Sequence, residues 1–95
     1  MNCNNMKKHF NITITGKVQG VAYRYWAEKN ANELGIVGFV KNNNDGSVYM
    51  EIEGELEVLK KFLDECVAGP RNAEVKDVQF WEGEIAQYKN FEIRV

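Results

Sequence analysis

A two-layer α+β sandwich of the split βαβ type is the fold the sequence predicts, on three observations. Short stretches alternate apolar with polar residues, as strands do, and two longer stretches carry apolar residues at helical spacing. Their order along the 95 residues is β-α-β-β-α-β, with one further short strand on the C-terminal side. Only one proline, Pro70, and no linker composition interrupt the chain, so one domain is expected. Two amphipathic helices on one face of an antiparallel sheet complete the two layers.

Phe10, Ile12 and Ile14 alternate with Asn11, Thr13 and Thr15, the pattern of a half-buried strand. Gly16 to Gly20 breaks it. Tyr23, Ala27, Ala31 and Leu34 then recur at helical spacing, and Gly35 stands where a C-cap glycine belongs. Ile36 to Lys41 is a short β-like run, and Asp45-Gly46 is a hairpin signal. Val48, Met50 and Ile52 alternate with Tyr49, Glu51 and Glu53 on the return strand, which Gly54 ends. Leu56, Leu59, Leu63 and Cys66 form a second amphipathic helix stopped by Gly69-Pro70. Val75 to Trp81 reads as a strand with weaker patterning, and Phe91, Ile93 and Val95 alternate in the last one. This ferredoxin-like arrangement is expected to span residues 9–95, with the polar start, 1–8, a flexible tail. The arrangement hosts many functions and specifies no chemistry by itself.

Composition narrows the classes. Apolar residues make up 44% and aromatics 12% of the chain, which suits a packed core and excludes a disordered chain. The net charge is −2 and the pI about 5.4, which argues against a general nucleic-acid binder but leaves room for a locally positive anion site. Two cysteines, Cys3 in the polar start and Cys66 in the second helix, imply no disulfide framework. Cys66 reads as a small core residue. No apolar run is long enough to span a membrane, and no secretory h-region is visible, so a soluble cytoplasmic protein is expected; it is expected to be a monomer, although these observations leave the oligomeric state open.

The chemistry lies in Gly16-Lys17-Val18-Gln19-Gly20-Val21-Ala22-Tyr23-Arg24, which joins the first strand to the first helix. The helix start lacks a Ser, Thr, Asp or Asn cap for its free N–H groups. Arg24 sits in or near the first turn, where the helix dipole disfavours a cation. An anion resolves both oddities by accepting the free N–H bonds and pairing with the guanidinium, and Gly20 lets the backbone approach it. A tight turn with a solvent-facing arginine fits the local pattern equally well. Neither a Walker A loop nor the dinucleotide-binding glycine pattern is present.

That segment resembles the first acylphosphatase signature, G-x-V-Q-G-V-x-[FY]-R. Gly38-Phe39-Val40-Lys41-Asn42-Asn43-Asn44-Asp45-Gly46-Ser47-Val48 resembles the second, G-[FYW]-V-[RK]-N-x-x-D-G-x-V. The two lie at the expected separation with a helix between them, and the resemblance runs from about His9 onward. Phe39 in place of the commoner tryptophan and the extra residues before His9 are the departures. The resemblance implies a hydrolase that takes a small acyl phosphate, releases inorganic phosphate and needs no cofactor or metal. It implies that Arg24 binds the phosphate and the charge of the transition state, and that Asn42 orients the attacking water. It also implies that the backbone N–H groups of Gln19, Gly20, Val21, Ala22, Tyr23 and Arg24 cradle the phosphate oxygens. So short a list suffices because the leaving carboxylate is good and phosphoryl transfer depends on positioning and electrostatics.

Other candidates have plainer readings. His9, the only histidine, has no motif partner and is expected to be structural or solvated. Two distant cysteines and one histidine make no zinc site. Glu51, Glu53, Glu55 and Glu57 read as a solvated surface, and Trp26 and Trp81 as packing residues. RNA recognition modules share the fold, but the aromatic and basic positions of their motif are occupied here by Val37, Asn42 and Gly35. Intact Arg24 and Asn42 argue against a catalytically silent scaffold.

Overall fold

The computed structural model describes residues 6–95; Cys3 and the first five residues of the expected tail lie outside the described residues. Strand β1 (Lys7–Lys17) leads to helix α1 (Tyr23–Leu34), then β2 (Val37–Asn42) and β3 (Val48–Glu55). Helix α2 (Leu56–Ala68), β4 (Glu74–Gly83) and β5 (Phe91–Arg94) follow. The five strands form one sheet in the order β4-β1-β3-β2-β5. No helix among the described residues is long and apolar enough to cross a membrane.

Two boundaries differ from expectation. Lys7 and Lys8 belong to β1, not to a tail, because they pair with Glu55 and Gly54 of β3. The sheet is mixed: the β4–β1, β1–β3 and β3–β2 pairs are antiparallel as expected, but β5 runs parallel to β2. The chain leaves β4 at one edge of the sheet, crosses to the other edge through residues 84–90, and enters β5 already pointing along β2.

Period-2 alternation on β1 and β3 sends Ile12, Ile14, Val48, Met50 and Ile52 to the helix side. There they meet Ala27 and Ala31 of α1 and Leu59, Phe62, Leu63 and Cys66 of α2. Each large side chain fully buried here contributes roughly 1.5–3 kcal/mol of transfer free energy. Cys66 is in this core as expected, and burial pushes its thiol up. Gly35 caps α1 with φ 73°, its N–H reaching the Ala31 and Asn32 carbonyls. Gly38 has a different reason to be glycine: at φ 143° a Cβ would lie 1.8 Å from the Glu51 carbonyl oxygen. Of the two tryptophans, Trp26 packs against Tyr23, ring centroids 5.2 Å apart, whereas Trp81 is not a packing residue. It is 49% exposed, because β4 is an edge strand and Trp81 faces away from the helices.

Candidate active site

The site grows from the connection between β1 and α1. Val18 is buried and anchors it to the core; the chain then turns through Gly20 (φ 76°) and Ala22 (φ 64°). A side chain at Gly20 would meet open space, so the position requires the left-handed backbone and not the room. Ala22 enters the same region at a cost of about 1–2 kcal/mol. It is the N-cap of α1 and has no side chain to accept a bond, so the first-turn N–H groups receive no side-chain cap. The first turn holds no acidic residue either, and it holds Arg24. The result is a positively polarised helix start whose natural complement is an anion.

Arg24 and Asn42 come together on one cleft of about 150 Å³, with Gln19, Gly20, Ala22 and Tyr23 also on its walls. Val21, expected to offer its backbone N–H in the same group, turns its side chain to the core. The Tyr23 ring is buried, and its hydroxyl donates to the Cys66 carbonyl at 2.7 Å, pinning the start of α1 to the end of α2. Burial pushes that phenol up. Arg24 is half-buried, and its Nη1 donates to the Arg94 carbonyl at 3.2 Å. No carboxylate forms an ion pair with it among the described residues. Arg94 lays its own guanidinium 4.0 Å from the centroid of the Phe39 ring, which holds the end of β5 in place.

Asn42 ends β2 opposite Val48. The turn after it is closely bonded. The Asn43 N–H donates to the Ser47 carbonyl at 2.9 Å and the Gly46 N–H to the Asn43 carbonyl at 3.2 Å. The Asp45 carboxylate accepts the Ser47 hydroxyl at 2.6 Å and the Ser47 N–H at 2.9 Å, and these two bonds hold its carboxyl below the usual value. Two cleft features lie beyond the sequence reading. The Gln19 side chain bonds across to this turn, with its place in the first motif as the only advance signal. Tyr25, exposed on the cleft rim, is marked by no pattern. A larger concavity, about 600 Å³, opens at the opposite end of the sheet, where Glu53 and Glu55 oppose Lys7. It presents no arginine, whereas the smaller cleft pairs one with an uncapped helix start that holds no acid, the two features that suit it to an anion.

That opposite end holds a buried polar cluster, which corrects the reading of Glu51 and Glu53 as solvated surface; Glu55 and Glu57 are exposed as expected. Segment 84–90 covers this part of the open sheet face, which strand alternation alone does not reveal. The Glu53 carboxylate accepts the N–H groups of Ala86, Gln87 (2.9 Å) and Tyr88 (3.2 Å), and His9 Nδ1 lies 2.7 Å from it. His9 Nε2 faces Asn11 Oδ1 at 3.1 Å and Glu51 at 3.3 Å. The hydroxyls of Tyr49 and Tyr88 both donate to Glu51 at 2.6 Å. With acceptors at both ring nitrogens, only the imidazolium satisfies every bond.

Burial opposes charge on all three groups, and their partners outweigh it. Glu53, Asn11 and the field of Glu51 raise His9. The Ala86 N–H, His9 and the Tyr88 and Gln87 N–H groups lower Glu53, while the two phenols, His9 and Arg94 lower Glu51. The depressed carboxyls stabilise the fold above their ordinary value of 4.5, and this contribution is lost as pH falls through their lowered pKa values. The raised His9 stabilises it fully below 6.5, and that is lost as pH rises through its raised pKa. Tm should therefore peak between roughly pH 5 and 6.5 and decline on either side. Turnover should stay flat from about pH 5 to pH 8, apart from substrate ionisation, because no group of this cluster lines the cleft. Thermal melts and initial rates across that range check both; an enzyme-derived step in rate above 6.5, moving with the loss of Tm, would make His9 part of the chemistry.

Fold and cleft first define a class: a ferredoxin-like α+β domain with a small polar cleft at the strand–helix end of its sheet. Comparison with known proteins narrows it. The family model described as Acylphosphatase matches residues 10–93. An acylphosphatase of Archaeoglobus fulgidus is 45% identical over 82 residues, covering 86% of this chain and 92% of that one. One from a Nocardioides species is 37% identical over 89 residues, covering 94% and 90%. The solved acylphosphatase of Coxiella burnetii superposes with a TM-score of 0.91 at 32% identity, covering 99% of this chain and all of that one. The chain belongs to the acylphosphatase family, and its activity is the hydrolysis of acyl phosphates.

Proposed function

We propose that this hydrolysis runs in the cleft between the β1–α1 connection and the end of β2, with Arg24 and Asn42 as its two catalytic side chains. The observation that carries the reading is that both line the same small cleft at an uncapped helix start. The backbone N–H groups from Gln19 to Arg24 receive the phosphate oxygens, and the Arg24 fork pairs with them and with the charge that develops in the transition state. Asn42 has both a donor and an acceptor with which to hold a water. The water oxygen attacks phosphorus, the bond from phosphorus to the carboxyl oxygen breaks, and the carboxylate leaves. A phosphate oxygen takes the water proton, so the protein needs no base. The products are a carboxylate and inorganic phosphate.

The reading extends to a cytoplasmic monomer that acts on a small molecule, engages no nucleic acid and uses no metal. The pI of about 5.4 suits no polyanion partner. Benzoyl phosphate and phenyl phosphate, assayed in parallel with and without a chelator, test it. Rapid hydrolysis of the anhydride alone, unaffected by the chelator, is expected. Comparable rates on the monoester would overturn the selectivity, and a chelator loss restored by a divalent ion would overturn the metal-free route.

A further inference from the structure

We infer that the Gln19 side chain is a positioning residue for this reaction: it sets where Asn42 stands relative to the loop that carries Arg24. The inference rests on the roles proposed above for Asn42 and Arg24. The loop belongs to the β1–α1 connection and Asn42 to the end of β2, and these two strands are not neighbours, because β3 lies between them. Two strand spacings, roughly 10 Å, separate their backbones, and no ladder hydrogen bond joins them. The relative position of loop and strand end therefore needs another tie.

Gln19 supplies it. Its Nε2 donates to the Asn43 carbonyl at 2.8 Å and to the Ser47 carbonyl at 2.9 Å. Both partners are carbonyls, so only the NH2 end of the amide can face them. Each carbonyl already accepts one bond from inside the turn, Asn43 from Gly46 and Ser47 from Asn43, and Gln19 takes up the remaining acceptor capacity. Because Asn43 and Ser47 close the turn between themselves, fixing their carbonyls fixes the turn as a unit, and with it the preceding residue, Asn42. Both amide hydrogens are spent on the turn, which leaves none for a phosphate. A reacting geometry misplaced by about 1 Å can cost on the order of 10²-fold in rate, so a tie of this kind shows in kcat.

The test is a double-mutant cycle. Gln19→Met keeps the length and removes both donors; Gln19→Asn keeps the amide and removes the reach. Each should lower kcat on benzoyl phosphate by roughly 10-fold while the inhibition constant of inorganic phosphate moves less than about twofold. In an Asn42→Ala background the same changes should alter kcat by less than about twofold, because the residue they position is gone. A thermal melt records any loss of stability separately, since a merely structural role would lower Tm without this coupling. Full, multiplicative losses in the double variants, or unchanged kcat in the single ones, would overturn the inference. If Asn42→Ala alone kept full turnover, the proposed role of Asn42 would fall first, and the assignment of Gln19 with it.

Discussion

Arg24→Ala should reduce kcat/KM by at least about 10³-fold, the scale on which removal of an arginine stabilising phosphoryl transfer is felt. The first turn of α1 has no capping side chain and no acid, and Arg24 has no carboxylate partner among the described residues. Among the described residues its guanidinium is tethered by one 3.2 Å bond, to the Arg94 carbonyl, which orients it without neutralising it. Removing it deletes the one full positive charge on the cleft wall, in both ground state and transition state. Binding of inorganic phosphate should therefore weaken together with turnover. Arg24→Lys should fail nearly as badly, because a compact ammonium has no planar fork for two phosphate oxygens. The fold should survive both, since the side chain is half-exposed and no ion pair is broken. Steady-state kinetics with a phosphate inhibition series checks this, and a lysine variant that kept most of the activity would rule out the bidentate arrangement.

Asn42→Ala is expected to separate rate from affinity. Its amide lines the cleft from the β2 side, across from the helix start that receives the phosphate. A group that holds the attacking water acts mainly in the transition state, so its loss falls on kcat. Loss of a preorganised polar group of this kind costs roughly 10²-fold or more. The inhibition constant of inorganic phosphate should change little, because the backbone N–H groups and Arg24 remain. Kinetics of the variant with phosphate as competitor decides the point. A large loss of phosphate binding would make Asn42 a phosphate ligand instead of a water holder.

What could be read in advance follows from which physical signals are local. The αL cap at Gly35, the Asp45-Gly46 turn and the uncapped start at Ala22 depend on near neighbours, and each stands where the residues place it. The approach of Asn42 to Arg24 was legible through the resemblance and the split βαβ order, since 17 residues and most of a helix lie between them and periodicity says nothing of loops meeting. Strand direction was not legible: alternation at Phe91 and Ile93 is the same whether β5 runs with β2 or against it. Glu51 and Glu53 alternate like solvated residues because they do point off the helix face; only the crossing of Ala86, Gln87 and Tyr88 turns that face into an interior. Lys7 and Lys8 pair through the backbone, which their charged side chains do not announce. Trp81 shows the converse, an aromatic that burial scales place inside and an edge strand leaves half outside.

The position of β1 between β3 and β4 has a kinetic consequence. The strand that comes first in the chain is completed by partners far downstream: His9 meets Glu53 44 residues on, and Lys8 meets Glu82 74 residues on. The entropy of closing loops of that size precedes any reward from pairing, so folding is expected to be slower than in helical bundles, whose contacts are local. As the chain leaves the ribosome, β1 emerges before both of its partners and is paired on both sides only once β3 and then β4 have followed it. Catalytic competence is therefore a late event in the life of each molecule, acquired only when nearly the whole described chain has been threaded into place.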